Sequence, residues 1–216
     1  MNKLTYPLFD SVVDSIWLTI PNYINWLSKQ RKRKVKISGI NLTIILHSAT
    51  LIEGFLYDVL EEEIGFSEDQ SSLENRLYNE LYMKLQAAAW TNYISLFELI
   101  TNKKLLTLTD NETWKGITMM FQLRNMVTHG KSIEITIDKQ KPKEHTVNKK
   151  YTAVISYLNE IGIRSPDLPV PTTPLLSDES ADHFYKLTVK FIGDIHANYL
   201  IPKNGQSWDA YEIAFL

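Results

Sequence analysis

The chain has 216 residues, 44% hydrophobic and 22% charged, with a formal net charge of -2. This composition fits one ordinary globular domain with a sizeable core and excludes a low-complexity or disordered chain, and the near-zero balance excludes coating of nucleic acid by bulk charge. The absence of cysteine excludes disulfides, thiolate nucleophiles and cysteine metal sites.

Met1 to Asp10 lacks the basic segment, apolar run and small-residue cleavage site of a signal peptide, so a cytoplasmic protein is expected. From about Leu8 to Lys29, apolar residues such as Val12, Ile16, Ile20, Ile24 and Leu27 recur at helical spacing, with Pro21 expected to kink or divide the helix. The helix runs into Arg31-Lys32-Arg33-Lys34-Val35-Lys36. Arg31 and Arg33 are candidate RNA contacts, because clustered cations neutralise phosphate charge. A solvated helix end whose cations complement the macrodipole is the alternative.

A second helix, about Ser38 to Ile64, is apolar on most of its circumference and therefore central. Asn41, His47, Glu53 and Asp58 disqualify it as a membrane span, and no membrane association is expected. Its Glu61-Glu62-Glu63 end reads as a solvated face, with Gly65 as the C′ residue. A third helical stretch, Leu73 to about Ile100, is long enough either to break near Trp90-Thr91-Asn92 or to reach a neighbouring subunit.

The fourth helix starts at a capping box, Thr109 with Glu112, and stops at Gly130. Ile117, Met120, Phe121, Arg124, Val127 and Thr128 share one face by spacing, so an arginine interrupts an apolar stripe. Such a group needs a partner, a wet cleft or an interface. Glu53 on the second helix is one partner; the other reading leaves Glu53 facing water beside Asp58 and Glu61. His129 falls at the last helical position, where the macrodipole favours positive charge.

Beyond Gly130 the period changes. Ile133, Ile135 and Ile137 alternate with polar residues as in a half-buried strand, and a return strand at 144–148 makes a hairpin. Its tip carries Lys139, Lys141 and Lys143, which read either as RNA contacts or as solubilising charges. A helix around Tyr151 to Ile161, a proline-rich connector at 166–174, a last helix from Asp178 to Leu200 and an aromatic tail with Trp208, Tyr211 and Phe215 complete the chain. His47, His145, His183 and His196 read as structural, and no metal site or cofactor is expected. The expected architecture is all-α: one domain over 1–216, divided into an arm (1–36), core helices with the motif (37–130), a hairpin (131–150) and C-terminal helices with the tail (151–216).

Arg124, Asn125 and His129, flanked by Leu123 and Gly130 on an apolar helix, form a pattern that resembles the motif of the HEPN superfamily (higher eukaryotes and prokaryotes nucleotide-binding). That motif is an arginine, a gap of about four to six residues and a histidine, commonly with asparagine after the arginine. The resemblance covers the helices from about Ser38 to Gly130. It implies a HEPN-like helical bundle and a metal-independent endoribonuclease whose two copies join their motifs into one composite site, giving a 2′,3′-cyclic phosphate. Catalytic Arg124, Asn125 and His129, with support from Glu53 and Thr128, would act on RNA in a homodimeric toxin or defence effector controlled by a protein partner such as an antitoxin. The alternative within the resemblance is a non-catalytic module that binds nucleotide, RNA or protein.

Overall fold

A computed structural model describes residues 20–32, 39–64, 71–129, 135–137, 145–147, 149–163 and 173–201. Within them the protein is mainly helical, in the order α1 (Ile20–Lys32), α2 (Ile40–Ile64), α3 (Leu73–Gln86), α4 (Trp90–Thr101), α5 (Asn111–Thr128), α6 (Lys149–Glu160) and α7 (Asp178–Ile195). Single 3-10 turns occupy Leu105–Thr107 and Thr173–Leu176, and a π turn, His196–Leu200, continues α7. Ile135–Ile137 (β1) and His145–Val147 (β2) pair antiparallel, with Ile135 opposite Val147. The expectations for the first nineteen residues, for Arg33, Gly65, Gly130, Lys139, Lys141 and Lys143, for most of the proline-rich connector and for the tail lie outside the described residues.

α2 is central because it is apolar nearly all round. Ile44, Ile45, Leu51, Ile52, Phe55 and Leu56 are fully buried, and α1, α3, α4, α5 and α7 pack around them. Complete burial of one such side chain stabilises the fold by about 1.5–3 kcal/mol. Among the described helices α2 alone is long and apolar enough to cross a membrane, and half of its most apolar stretch is buried inside the protein.

Pro21 is helical and follows Ile20, where the described part of α1 begins, so the expected kink or division of a helix from about Leu8 lies outside the described residues. At the other end of α1, the Arg31 guanidinium donates to Asn41 Oδ1 at 3.1 Å and to the Asp178 carbonyl at 3.2 Å, and pairs with Asp182. Its side chain is only 11% exposed. Arg31 is therefore a strut between α1 and the start of α7, engaged by the carboxylates of Asp178 and Asp182.

The long third helix is two helices, separated at 87–89, immediately before Trp90. Ala89 caps α4 in an extended conformation, and Trp90, the first residue of α4, stacks on Phe121 of α5 with centroids 4.1 Å apart. The glutamates closing α2 also differ from a merely solvated face. Glu61 accepts from the Tyr57 and Tyr82 hydroxyls at 3.1 and 3.0 Å, and Glu63 accepts from Tyr199 at 2.7 Å. These bonds tie α2 to α3 and to the π turn.

Candidate functional site

α5 carries the motif and is fixed at both ends. Asp110, one residue after the expected Thr109, is the N-cap, its Oδ1 accepting from the Thr113 N–H at 2.8 Å. An aspartate cap also places negative charge at the positive end of the macrodipole. Thr109 instead donates its hydroxyl to Asp194 of α7. At the far end His129 is the C-cap, its N–H directed to the Asn125 carbonyl at 3.3 Å.

Gly116, Ile117, Met120, Phe121, Leu123 and Met126 are the buried face of α5. That face decides where the motif points. Asn125, Thr128 and His129 are exposed, and Arg124 lies between core and solvent. Thr128 thus departs from the buried position its spacing suggested; its hydroxyl donates to the Arg124 carbonyl at 3.0 Å and serves the unpaired end of the helix.

The intruding arginine has the partner that its position demands. Arg124 Nη2 donates to Glu53 Oε2 at 2.9 Å, with the two side chains 26% and 15% exposed. Nη1 donates to Asn125 Oδ1 at 3.0 Å. Burial pushes the Glu53 carboxyl above its ordinary range, and the Arg124 charge offsets only part of this. Tyr93 of α4, close enough to feel Glu53, is pushed up to about 12 chiefly by its own burial.

Asn125 and His129, one turn apart, line a single cleft between α4 and α5 of about 670 Å³. Its other walls include Trp90, Ile94, Trp114 and Phe121. Arg124 is not in the lining and connects to it through its bond to Asn125. The structure therefore links Arg124 to both Glu53 and Asn125, and sets Asn125 and His129 on one cleft, with Thr128 turned to the backbone. Sequence inspection misses the aromatic walls, because Trp90 and Trp114 belong to different helices and neither is unusual on its own.

A second polar cluster lies at the other end of α5. The Tyr157 hydroxyl meets His183 Nε2 at 2.7 Å, and Lys115 bridges Glu160 at 2.7 Å. Burial, with a smaller push from Lys186, lowers the His183 pKa, while burial raises Tyr157 to about 12. A neutral imidazole accepting from a protonated phenol follows, an arrangement that suits a structural tie between α6 and α7. No group of three or more potential metal ligands occurs among the described residues.

No family model matches the chain, and neither does any curated protein or solved structure.

Proposed function

We propose that the protein is a HEPN-like, metal-independent endoribonuclease that works as a homodimer, as a toxin or defence effector under the control of a protein partner. One observation carries the reading: Arg124 is bonded to Asn125 near the end of α5, and Asn125 shares one cleft with His129. Metal-free RNA cleavage needs a base for the 2′-hydroxyl proton, an acid for the departing 5′-oxygen and positive charge at phosphorus. The 2′-oxygen attacks phosphorus, the bond to the 5′-oxygen breaks, and a 2′,3′-cyclic phosphate and a 5′-hydroxyl result. Histidine performs either proton transfer, and the arginine fork matches a phosphate gaining charge. Each chain contributes one His129, so a two-fold pair supplies both base and acid.

The test is cleavage of a labelled single-stranded RNA. Wild type should cut it in EDTA and leave cyclic phosphate ends, while Arg124→Ala and His129→Ala should lose cleavage and keep their helical circular dichroism at 25 °C. Sedimentation should show a dimer at micromolar concentration. Chelator-sensitive cutting, or a clear monomer, would overturn the composite mechanism.

A second reading rests on the Arg124–Glu53 pair. A guanidinium already neutralised by a carboxylate suits a non-catalytic HEPN-like module that binds nucleotide, RNA or protein. In that case wild type and both variants would be equally inactive, with RNA or a protein partner still bound.

A further inference from the structure

We infer that the cleft between α4 and α5 is a nucleobase subsite, holding the base of the nucleotide whose phosphate lies at Arg124 and His129. The inference deepens the ribonuclease reading and rests on it for the position of that phosphate. Three features of the cleft carry it.

The first is shape and surface. At about 670 Å³ the cleft falls within the range of small-molecule sites. A base has two apolar faces and a polar edge, and the cleft offers the complement: Trp114, Ile94 and Phe121 as walls, with Thr91, Asn125 and His129 as polar groups. Bases splayed out of single-stranded RNA are commonly held on aromatic side chains while their edges are hydrogen-bonded.

The second is rigidity. Trp90 is 6% exposed and lies parallel to Phe121 within 4°, and Trp114 leans on Trp90 with centroids 5.9 Å apart. A prebuilt aromatic wall binds without first paying the ordering entropy of loose side chains.

The third is charge. The lining of this cleft contains no carboxylate. Two other clefts among the described residues differ: one includes Asp110, Glu112 and Glu160 with Lys115 and Lys190, the other Glu63 and Glu80 with Lys84. In each the carboxylates outnumber the cations, which disfavours a nucleotide phosphate.

Titration calorimetry on the full chain tests this with the four ribonucleoside 3′-monophosphates and, as a probe without a base, ribose 5-phosphate. At least one nucleotide should bind wild type at least tenfold more tightly than ribose 5-phosphate. Thr91→Trp, which plugs the mouth from an exposed position, and Ile94→Glu, which sets a charge on the wall, should each weaken that nucleotide tenfold or more. Equal affinity for ribose 5-phosphate and every nucleotide would overturn the subsite, and so would unchanged binding by both cleft variants. Conversion of a wild-type dimer to monomer by Thr91→Trp would also overturn it, assigning the cleft to a second copy of the chain. RNA cleavage is scored separately: base-dependent binding without cleavage keeps the subsite and removes the ribonuclease, whereas cleavage without base-dependent binding does the reverse.

Discussion

Arg124 and Glu53 form an ion pair at 2.9 Å that ties the motif helix to the central helix. Both side chains are mostly withdrawn from solvent, so removing one partner leaves the other charge without its counterion in a poorly hydrated place. Arg124→Ala should cost about 1–3 kcal/mol, less than a fully buried pair because the guanidinium is still partly hydrated. For a chain of this length that corresponds to a fall in Tm of about 2–12 °C. Adding Glu53→Gln to Arg124→Ala should restore part of the loss. A double-mutant cycle by thermal melting checks the coupling, and strictly additive effects would show that the pair contributes nothing.

Asp110 makes stability depend on acid. Its hydrogen bond from Lys190 and that from the Thr113 N–H hold its carboxyl well below the usual range. The unfolded chain therefore binds the proton first as pH falls, and the stabilisation is present above about pH 4 and lost below it. Asp110→Ala should cost about 1 kcal/mol at neutral pH through loss of the cap. Asp110→Asn keeps the cap and should flatten the plot of Tm against pH below about pH 4. Identical slopes for wild type and Asp110→Asn would rule out this carboxyl as the source.

His183 supplies a second pH dependence at a higher range. Its pKa is lowered by burial and then by Lys186. The folded state thus resists a proton that the unfolded state accepts below about pH 6.5, so stability is full above that pH and declines as pH falls. His183→Gln should remove this decline between about pH 6.5 and pH 5 while leaving the acid limb at Asp110 intact. Melting curves across that interval decide it.

At Gly116 α5 comes close to α6 and α7. A Cβ there would collide with Leu187 of α7 and the Tyr157 hydroxyl of α6. Gly116→Val should destabilise by about 1–3 kcal/mol through overpacking, more than the helix propensity gained by losing glycine. Chemical denaturation would show a lower midpoint at unchanged slope. A more stable Gly116→Val would mean that the three helices separate easily.

The helical class and the principal helices were legible in the sequence because α2 is apolar nearly all round and the apolar period of α7 coincides with its buried face. The Arg124–Glu53 pair was legible as one of two choices, since each is a polar intruder on an apolar helix. The cap of α5 was misplaced by one residue because Thr109 and Asp110 both suit an N-cap, and what separates them is the Thr109 bond to Asp194, a contact 85 positions away. The break at 87–89 carried no local signal, since alanine is the best helix former; the stacking of Trp90 on Phe121 fixes where α4 begins. Arg31 looked like part of a basic patch until α7 brought two aspartates to it. In each case a contact distant in sequence decided among options that were locally equal.

The aromatic wall has a spectroscopic consequence. Trp90 and Trp114 have centroids 5.9 Å apart and planes inclined by 40°, close and skewed enough for their indole transitions to couple as an exciton. The chain has five tryptophans; besides this pair, the described residues include Trp26, half exposed at 52% on α1. A circular dichroism couplet from the strong far-ultraviolet indole transition is therefore expected from the Trp90–Trp114 pair. The protein carries its own chiroptical label at the place where the motif helix meets α4.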